Sequence, residues 1–131
     1  MNVFEGVGTY ELKPRNQRFI LLNALPLNAI KNDYFVIEAV RIHPSILEGI
    51  IGKFAREYGV EVKNYIRHEA TVRWINQKLG LQIQPSSELY EYQKGDKLII
   101  VTLKNPQRGK EVVELKDEDL DIIIAEVFGI K

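Results

Sequence analysis

Residues 60–80, Val60-Glu-Val-Lys-Asn-Tyr-Ile-Arg-His-Glu-Ala-Thr-Val-Arg-Trp-Ile-Asn-Gln-Lys-Leu-Gly80, decide the fold class. Their first part alternates apolar and polar residues (Val60, Val62, then Tyr65 and Ile66), the period of a short strand. From His68 or Glu69 the pattern changes. Val72, Ile75 and Leu79 then recur at helical spacing with Trp74 at the flank, and Gly80 ends the helix. A strand running directly into a helix is the repeating unit of α/β proteins.

Similar punctuation organises the flanking chain. Residues 18–25 (RFILLNAL) form an apolar run closed by Pro26, as expected of a strand covered on both faces. Residues 34–42 (YFVIEAVRI) are β-branched and aromatic and predict a second strand, stopped by His43-Pro44. Ser45 and Glu48 have capping-box spacing. Ile46, Leu47, Ile50, Ile51, Phe54 and Tyr58 fall on one helical stripe ending at Gly59. Residues 81–84 read as a short extended piece. Residues 88–92 and 97–103 flank Gln93-Lys94-Gly95-Asp96 as a hairpin. Residues 105–109 read as a loop, residues 111–115 as extended chain and residues 117–121 as an acidic helical turn. Residues 122–128 read as a last strand, which Ile122-Ile123-Ile124 favours over helix. Residues 1–17 read as an N-terminal extension, with a short edge strand over residues 7–12. Residues 18–131 then form one α/β domain, a mixed sheet of about five or six strands flanked by helices.

Composition narrows the functions open to such a domain. A chain of 131 residues, 45% hydrophobic and 27% charged, supports one packed core. Eighteen basic residues balance eighteen acidic ones, so any anion site must be a local patch, and DNA coating by bulk charge is disfavoured. Without cysteine there is no disulfide, thiolate nucleophile or zinc finger, and two histidines cannot build a multi-histidine metal site. No run approaches the roughly 18 apolar residues of a membrane span, and no signal-peptide pattern opens the chain. A cytoplasmic protein is the expectation, in the host cytoplasm if the gene is viral. Sixteen Ile, eleven Val and one Met suit a thermophile.

Walker, dinucleotide-binding, zincin and serine-hydrolase motifs are absent. Asp117, Glu118, Asp119 and Asp121 could attract a hard cation, but they lack calcium-loop spacing and read as a solvated helix start. His43 reads as a turn residue. His68 is better placed, at a strand-to-helix junction of the kind where α/β sheets bind ligands and free N–H groups favour phosphate. Arg67 adds a fixed positive fork beside an imidazole suited to proton transfer at neutral pH.

The string Leu22-Asn23-Ala24-Leu25-Pro26-Leu27-Asn28-Ala29-Ile30 resembles the Asn-Ala-Phe-Ser-Leu-Asn-Met-Leu pattern of the viral anti-CRISPR ring nucleases of type III systems, a small family from archaeal viruses and prokaryotes. Ile66-Arg67-His68-Glu69-Ala70-Thr71 resembles its Ile-Gly-His-x-x-Thr motif. Leu79-Gly80, Gly95-Asp96 and residues 98–103 follow in the family's order, so the resemblance spans about residues 18–130. It implies a homodimer that cuts cyclic tetra-adenylate to linear di-adenylate with a 2′,3′-cyclic phosphate end, without metal or other cofactor, and so silences type III CRISPR signalling. It also implies His68 as general acid, with Asn23 and Thr71 shaping the ring site, to which Arg67 would add its positive charge. Three departures stand out. Pro26 replaces the family's serine, Arg67 replaces its glycine, and Leu103-Lys104-Asn-Pro-Gln-Arg108-Gly109 replaces Leu-x-x-Arg-x-x-Glu-Gly. Lys104 and Arg108 become the candidates for phosphate contact there by charge and loop position. These departures bear on turnover more than on ring binding. The rival readings are a binding protein for the messenger or for DNA, with Lys63, Arg67, Arg73 and Lys78 as its anion face, and a structural dimer in which His68 merely closes a helix.

Overall fold

The computed structural model describes residues 18–25, 27–104 and 114–129, without the side chain of Phe54. Strand β1 (Arg18–Leu22) leads through a 3₁₀ turn (Leu27–Ala29) to β2 (Phe35–Ile42). Helix α1 follows over residues 44–58, with a π turn at Glu48–Gly52 between α-helical stretches Pro44–Leu47 and Lys53–Tyr58. Strand β3 (Glu61–Asn64), helix α2 (Glu69–Leu79), strand β4 (Lys97–Leu103), a 3₁₀ turn (Asp117–Asp119) and strand β5 (Leu120–Gly129) complete the order. The expected extension and its edge strand, the 105–109 loop and most of the 111–115 piece lie outside the described residues.

Among the described residues the sheet has five strands in the order β2-β5-β4-β1-β3, so the mixed α/β expectation holds. β1 pairs in parallel with both β3 and β4, and β5 runs antiparallel between β4 and β2. β1 is accordingly buried on both faces. One face sends Phe19, Leu21, Ile99, Val101 and Ile122 against Leu47 and Ile51 of α1 and Val72, Ile75 and Leu79 of α2. The other face carries Ile20, Leu22, Leu98, Ile100, Ala125 and Val127 and, among the described residues, is covered without helices, by Ile30 and by Tyr65, Tyr90 and Tyr92.

Two expectations need correction. Helix α1 is capped by His43, whose Nδ1 accepts from the Ser45 amide at 3.1 Å, and not by a Ser45–Glu48 box. His43 thus serves the turn, with Pro44 in the first helical position where its missing N–H costs nothing. The π turn inserts an extra residue, so the two halves of α1 share no straight stripe. Leu47 and Ile51 reach the core, whereas Ile46 and Tyr58 lie exposed. The C-terminal glycines are as expected: Gly59 and Gly80 adopt left-handed φ values of 65° and 66°.

The second correction concerns residues 88–92, which form no strand. Both edges of β4 are already taken by β1 and β5. No ladder remains for a hairpin partner, and the Tyr92 amide donates instead to Ala29 O at 3.0 Å. Side chains replace a ladder along residues 81–96. Asn76 brackets Ile83, donating to its carbonyl and accepting from its amide, and Asn64 donates to Gln84 O at 2.9 Å. The segment ends on Asp96, a buried carboxylate. It accepts from Arg18 Nε (2.9 Å) and Nη2 (2.8 Å), the Tyr90 hydroxyl (2.6 Å) and the Gln93 amide (3.1 Å). Burial, and then this bond, push the Tyr90 hydroxyl far above its ordinary pKa.

Asp117 performs a similar service for α2, accepting from Trp74 Nε1 (3.0 Å) and Lys78 Nζ (2.6 Å). The Lys78 bond, ahead of the indole, holds its carboxyl below the usual carboxylate range. A depressed pKa stabilises the fold above the ordinary carboxylate value, and that gain disappears as pH falls through the depressed one. Lys78→Met should therefore cost about 0.5–1 kcal/mol at pH 7, the scale of a half-exposed pair, and the difference from wild type should vanish in urea titrations at strongly acidic pH. Asp96→Ala, which strands Arg18 and the Tyr90 hydroxyl, should cost about 3–5 kcal/mol in the same measurement at pH 7.

Candidate functional site

The C-terminal ends of β1 and β3 lie side by side because the two strands pair in parallel, with Leu21 opposite Asn64. Parallel α/β sheets bind ligands at this edge. Here the chain leaving β1 and the segment before β4 enclose a cavity of about 930 Å³. Asn23, Leu25 and Asn28 line it from the β1 side, Tyr65 and Arg67 from beyond the end of β3, and Tyr90 from the segment before β4.

Asn64 shapes the floor. Its buried side chain accepts from the Ile66 amide at 3.0 Å and donates to the Ile66 carbonyl at 3.0 Å, forcing the chain to turn out of β3. Tyr65 and Arg67 consequently face the cavity while Ile66 plugs the core. Tyr65 and Tyr90 meet edge to face with centroids 5.2 Å apart, and Lys63 Nζ sits 5.4 Å from the Tyr65 centroid. A hydrogen bond to Tyr65 is the chief cause that raises the Lys63 pKa.

His68 is the N-cap of α2, in extended conformation (φ −67°, ψ 115°) and exposed to solvent. Its side chain makes no cap hydrogen bond; Nδ1 instead lies 3.3 Å from Thr71 Oγ1. Its neighbour Arg67 lines the cavity, but His68 is not part of the lining.

The residues expected to form one site are thus divided. Asn23 and Arg67 share the cavity, whereas His68 is exposed and absent from its lining. Thr71 is buried behind His68, touching the imidazole and not the cavity, because helical spacing places it one turn below the cap. Lys104 is exposed at the end of β4, with its amide on Asp119 O at 3.0 Å, and is also absent from the lining. Arg108 lies outside the described residues.

Other candidates are occupied elsewhere. Among the described residues no three His, Cys, Asp or Glu side chains gather as a metal site. Asp117 holds Trp74 and Lys78, Asp119 caps the Lys116 amide, and Asp121 pairs with Arg41 at 2.9 Å. In the presumed anion face, Lys63 pairs with Glu88 at 3.6 Å and Lys78 with Asp117. Sequence reading missed Tyr65, Tyr90 and Leu89 as cavity residues. Taking residues 88–92 as a hairpin strand hid Leu89 and Tyr90, whereas for Tyr65 the Tyr65–Arg67 spacing beside the motif histidine was a usable signal.

No helix among the described residues is long and apolar enough to cross a membrane. Among curated proteins, none matches this chain. The fold is similar to that of B116 of Sulfolobus turreted icosahedral virus, with a TM-score of 0.62 and 19% sequence identity. That similarity covers 82% of this chain and 97% of B116, and at this identity it speaks to the fold alone. The profile of the STIV B116-like family matches residues 19–127, from β1 through the His68 corner and across most of β5, and the chain therefore belongs to the STIV B116-like family.

Proposed function

We propose that this protein is a metal-independent ring nuclease that cuts cyclic tetra-adenylate, silencing type III CRISPR signalling, with His68 as general acid. The observation that carries the reading is the exposed His68 at the mouth of α2, its Nδ1 turned to Thr71 and its neighbour Arg67 in a cavity at the sheet's ligand-binding edge. The ordered resemblance to the ring nucleases supplies the substrate.

In this mechanism a ribose 2′-oxygen attacks the adjacent phosphorus in line. The O2′–P bond forms, the P–O5′ bond breaks, and the 2′ proton passes to solvent. Protonated His68 gives its Nε2 proton to the departing 5′-oxygen, a contribution of about 10²–10⁴-fold for a positioned acid. A Thr71 hydroxyl bonded to Nδ1 orients the ring and leaves Nε2 toward the substrate, so Thr71 is a positioning residue. Arg67 and the free amides at the start of α2 stabilise charge on the phosphorane. Cutting twice at equivalent phosphates yields two linear di-adenylates, each with a 2′,3′-cyclic phosphate. A two-fold dimer matches the two-fold axis of the ring and presents His68 twice.

One observation favours a second reading. His68 stands outside the cavity lining that Asn23 and Arg67 share, an arrangement suited to holding the ring without cutting it. DNA is the weaker partner, because Lys63 and Lys78 are paired with acids.

Labelled ring incubated with the protein, with and without EDTA, separates the two. Equal cleavage in both, with His68→Ala at least about 100-fold slower at unchanged ring affinity, is the expected result. Thr71→Val should lower kcat less than His68→Ala and leave KM unchanged. Uncut ring that nevertheless raises the melting temperature would leave only the binding role. Light scattering should give about twice the chain mass of 15.1 kDa.

A further inference from the structure

The cavity is lined unlike a simple phosphate site. Of nine large hydrophobic side chains exposed among the described residues, three rim this one opening: Leu25, Leu27 and Leu89, at 45%, 54% and 94% exposure. A single exposed leucine is ordinary, but three around one opening make an apolar patch of the kind that marks a binding surface. Beneath the leucines, Tyr65 and Tyr90 form an aromatic corner, and the Tyr90 ring is immobilised through its 2.6 Å bond to Asp96. Arg67 lies on the same wall as Tyr65.

We infer that this cavity is a nucleobase pocket: one base of a phosphodiester ligand packs between the Tyr65–Tyr90 corner and the Leu25, Leu27 and Leu89 rim, with its phosphate on Arg67. The chemistry selects this occupant. A flat heteroaromatic ring satisfies aromatic and aliphatic walls together, and its edge nitrogens suit the amides of Asn23 and Asn28. An acyl chain would strand those amides and the guanidinium. The volume of about 930 Å³ sits at the upper end of small-molecule sites. Leu89 is the most exposed of the three rim leucines and serves as the cover of the pocket when a base is present. This assignment rests on the phosphodiester reading of the same site and adds which residues read the base.

Calorimetric titration of the full chain with adenosine 5′-monophosphate and with ribose 5-phosphate tests the pocket without any chemistry. Wild type and His68→Ala should both bind the nucleotide at least about fivefold more tightly than the sugar phosphate, the low end of what one stacked base contributes. Leu89→Asp and Tyr65→Leu should remove most of that preference and leave ribose 5-phosphate binding unchanged. Leu89 is so exposed that its variant tests the pocket even where Tyr65→Leu fails to fold. Equal affinity for the two probes, no nucleotide binding at millimolar concentration, or a preference that survives Leu89→Asp overturns the pocket. Ring cleavage by a protein without base preference overturns the pocket and spares the nuclease reading. A base preference lost in Leu89→Asp, in a protein that leaves the ring uncut, supports the pocket and removes the nuclease.

Discussion

Asp96 ties the start of β1 to the segment that leads into β4. Its carboxylate takes both donors of Arg18 at the start of β1, the hydroxyl of Tyr90 and the amide of Gln93 just ahead of β4. A buried carboxylate with no partner would be prohibitively unfavourable, so the geometry of all its donors is fixed at once. Arg18 responds with a guanidinium held firmly in its charged form, chiefly through the Asp96 hydrogen bond. The helix-free face of the sheet is closed by this arrangement, because Tyr90 and Tyr92 are laid over Leu98 and Val127 without belonging to a strand.

The cavity is a consequence of that closure. A true hairpin over residues 88–92 would add a strand to the sheet and draw Tyr90 into its plane. Since β4 has no free edge, the segment instead crosses the end of β1, and its tyrosine becomes a wall. Asn64 and Asn76 supply side-chain hydrogen bonds where the backbone has no ladder partner. Structural polar residues and site residues are thus interleaved along one stretch of chain, and the site is built on an irregular but well-fastened segment.

The division of labour around α2 follows from helix geometry. An N-cap residue lies outside the helical spiral, so the His68 side chain is free of the core while its carbonyl accepts from Val72 at 3.0 Å. Thr71, inside the first turn, is directed back and buried. One residue is left accessible for proton transfer and the other to steady it. Arg67, still in extended chain, points to the cavity. The alternation of the strand thus continues just far enough to set the guanidinium and the imidazole in different surroundings.

Local chemistry made much of this legible. β1, β2, α2 and β5 follow from apolar runs, β-branching and helical spacing. Gly59 and Gly80 mark helix ends because only glycine adopts φ near +65° without strain. His43 and His68 were readable as corner residues from their neighbours Pro44 and Glu69. The sequence alone could not reveal the Asp96 hub or the fate of residues 88–92, since each depends on partners far away along the chain. Arg18 and Asp96 are 78 residues apart, and nothing in either neighbourhood announces the other. Which strand edges remain free is a property of the whole sheet. That long-range competition for hydrogen-bonding edges, and not local propensity, turned a presumed strand into the wall of a cavity.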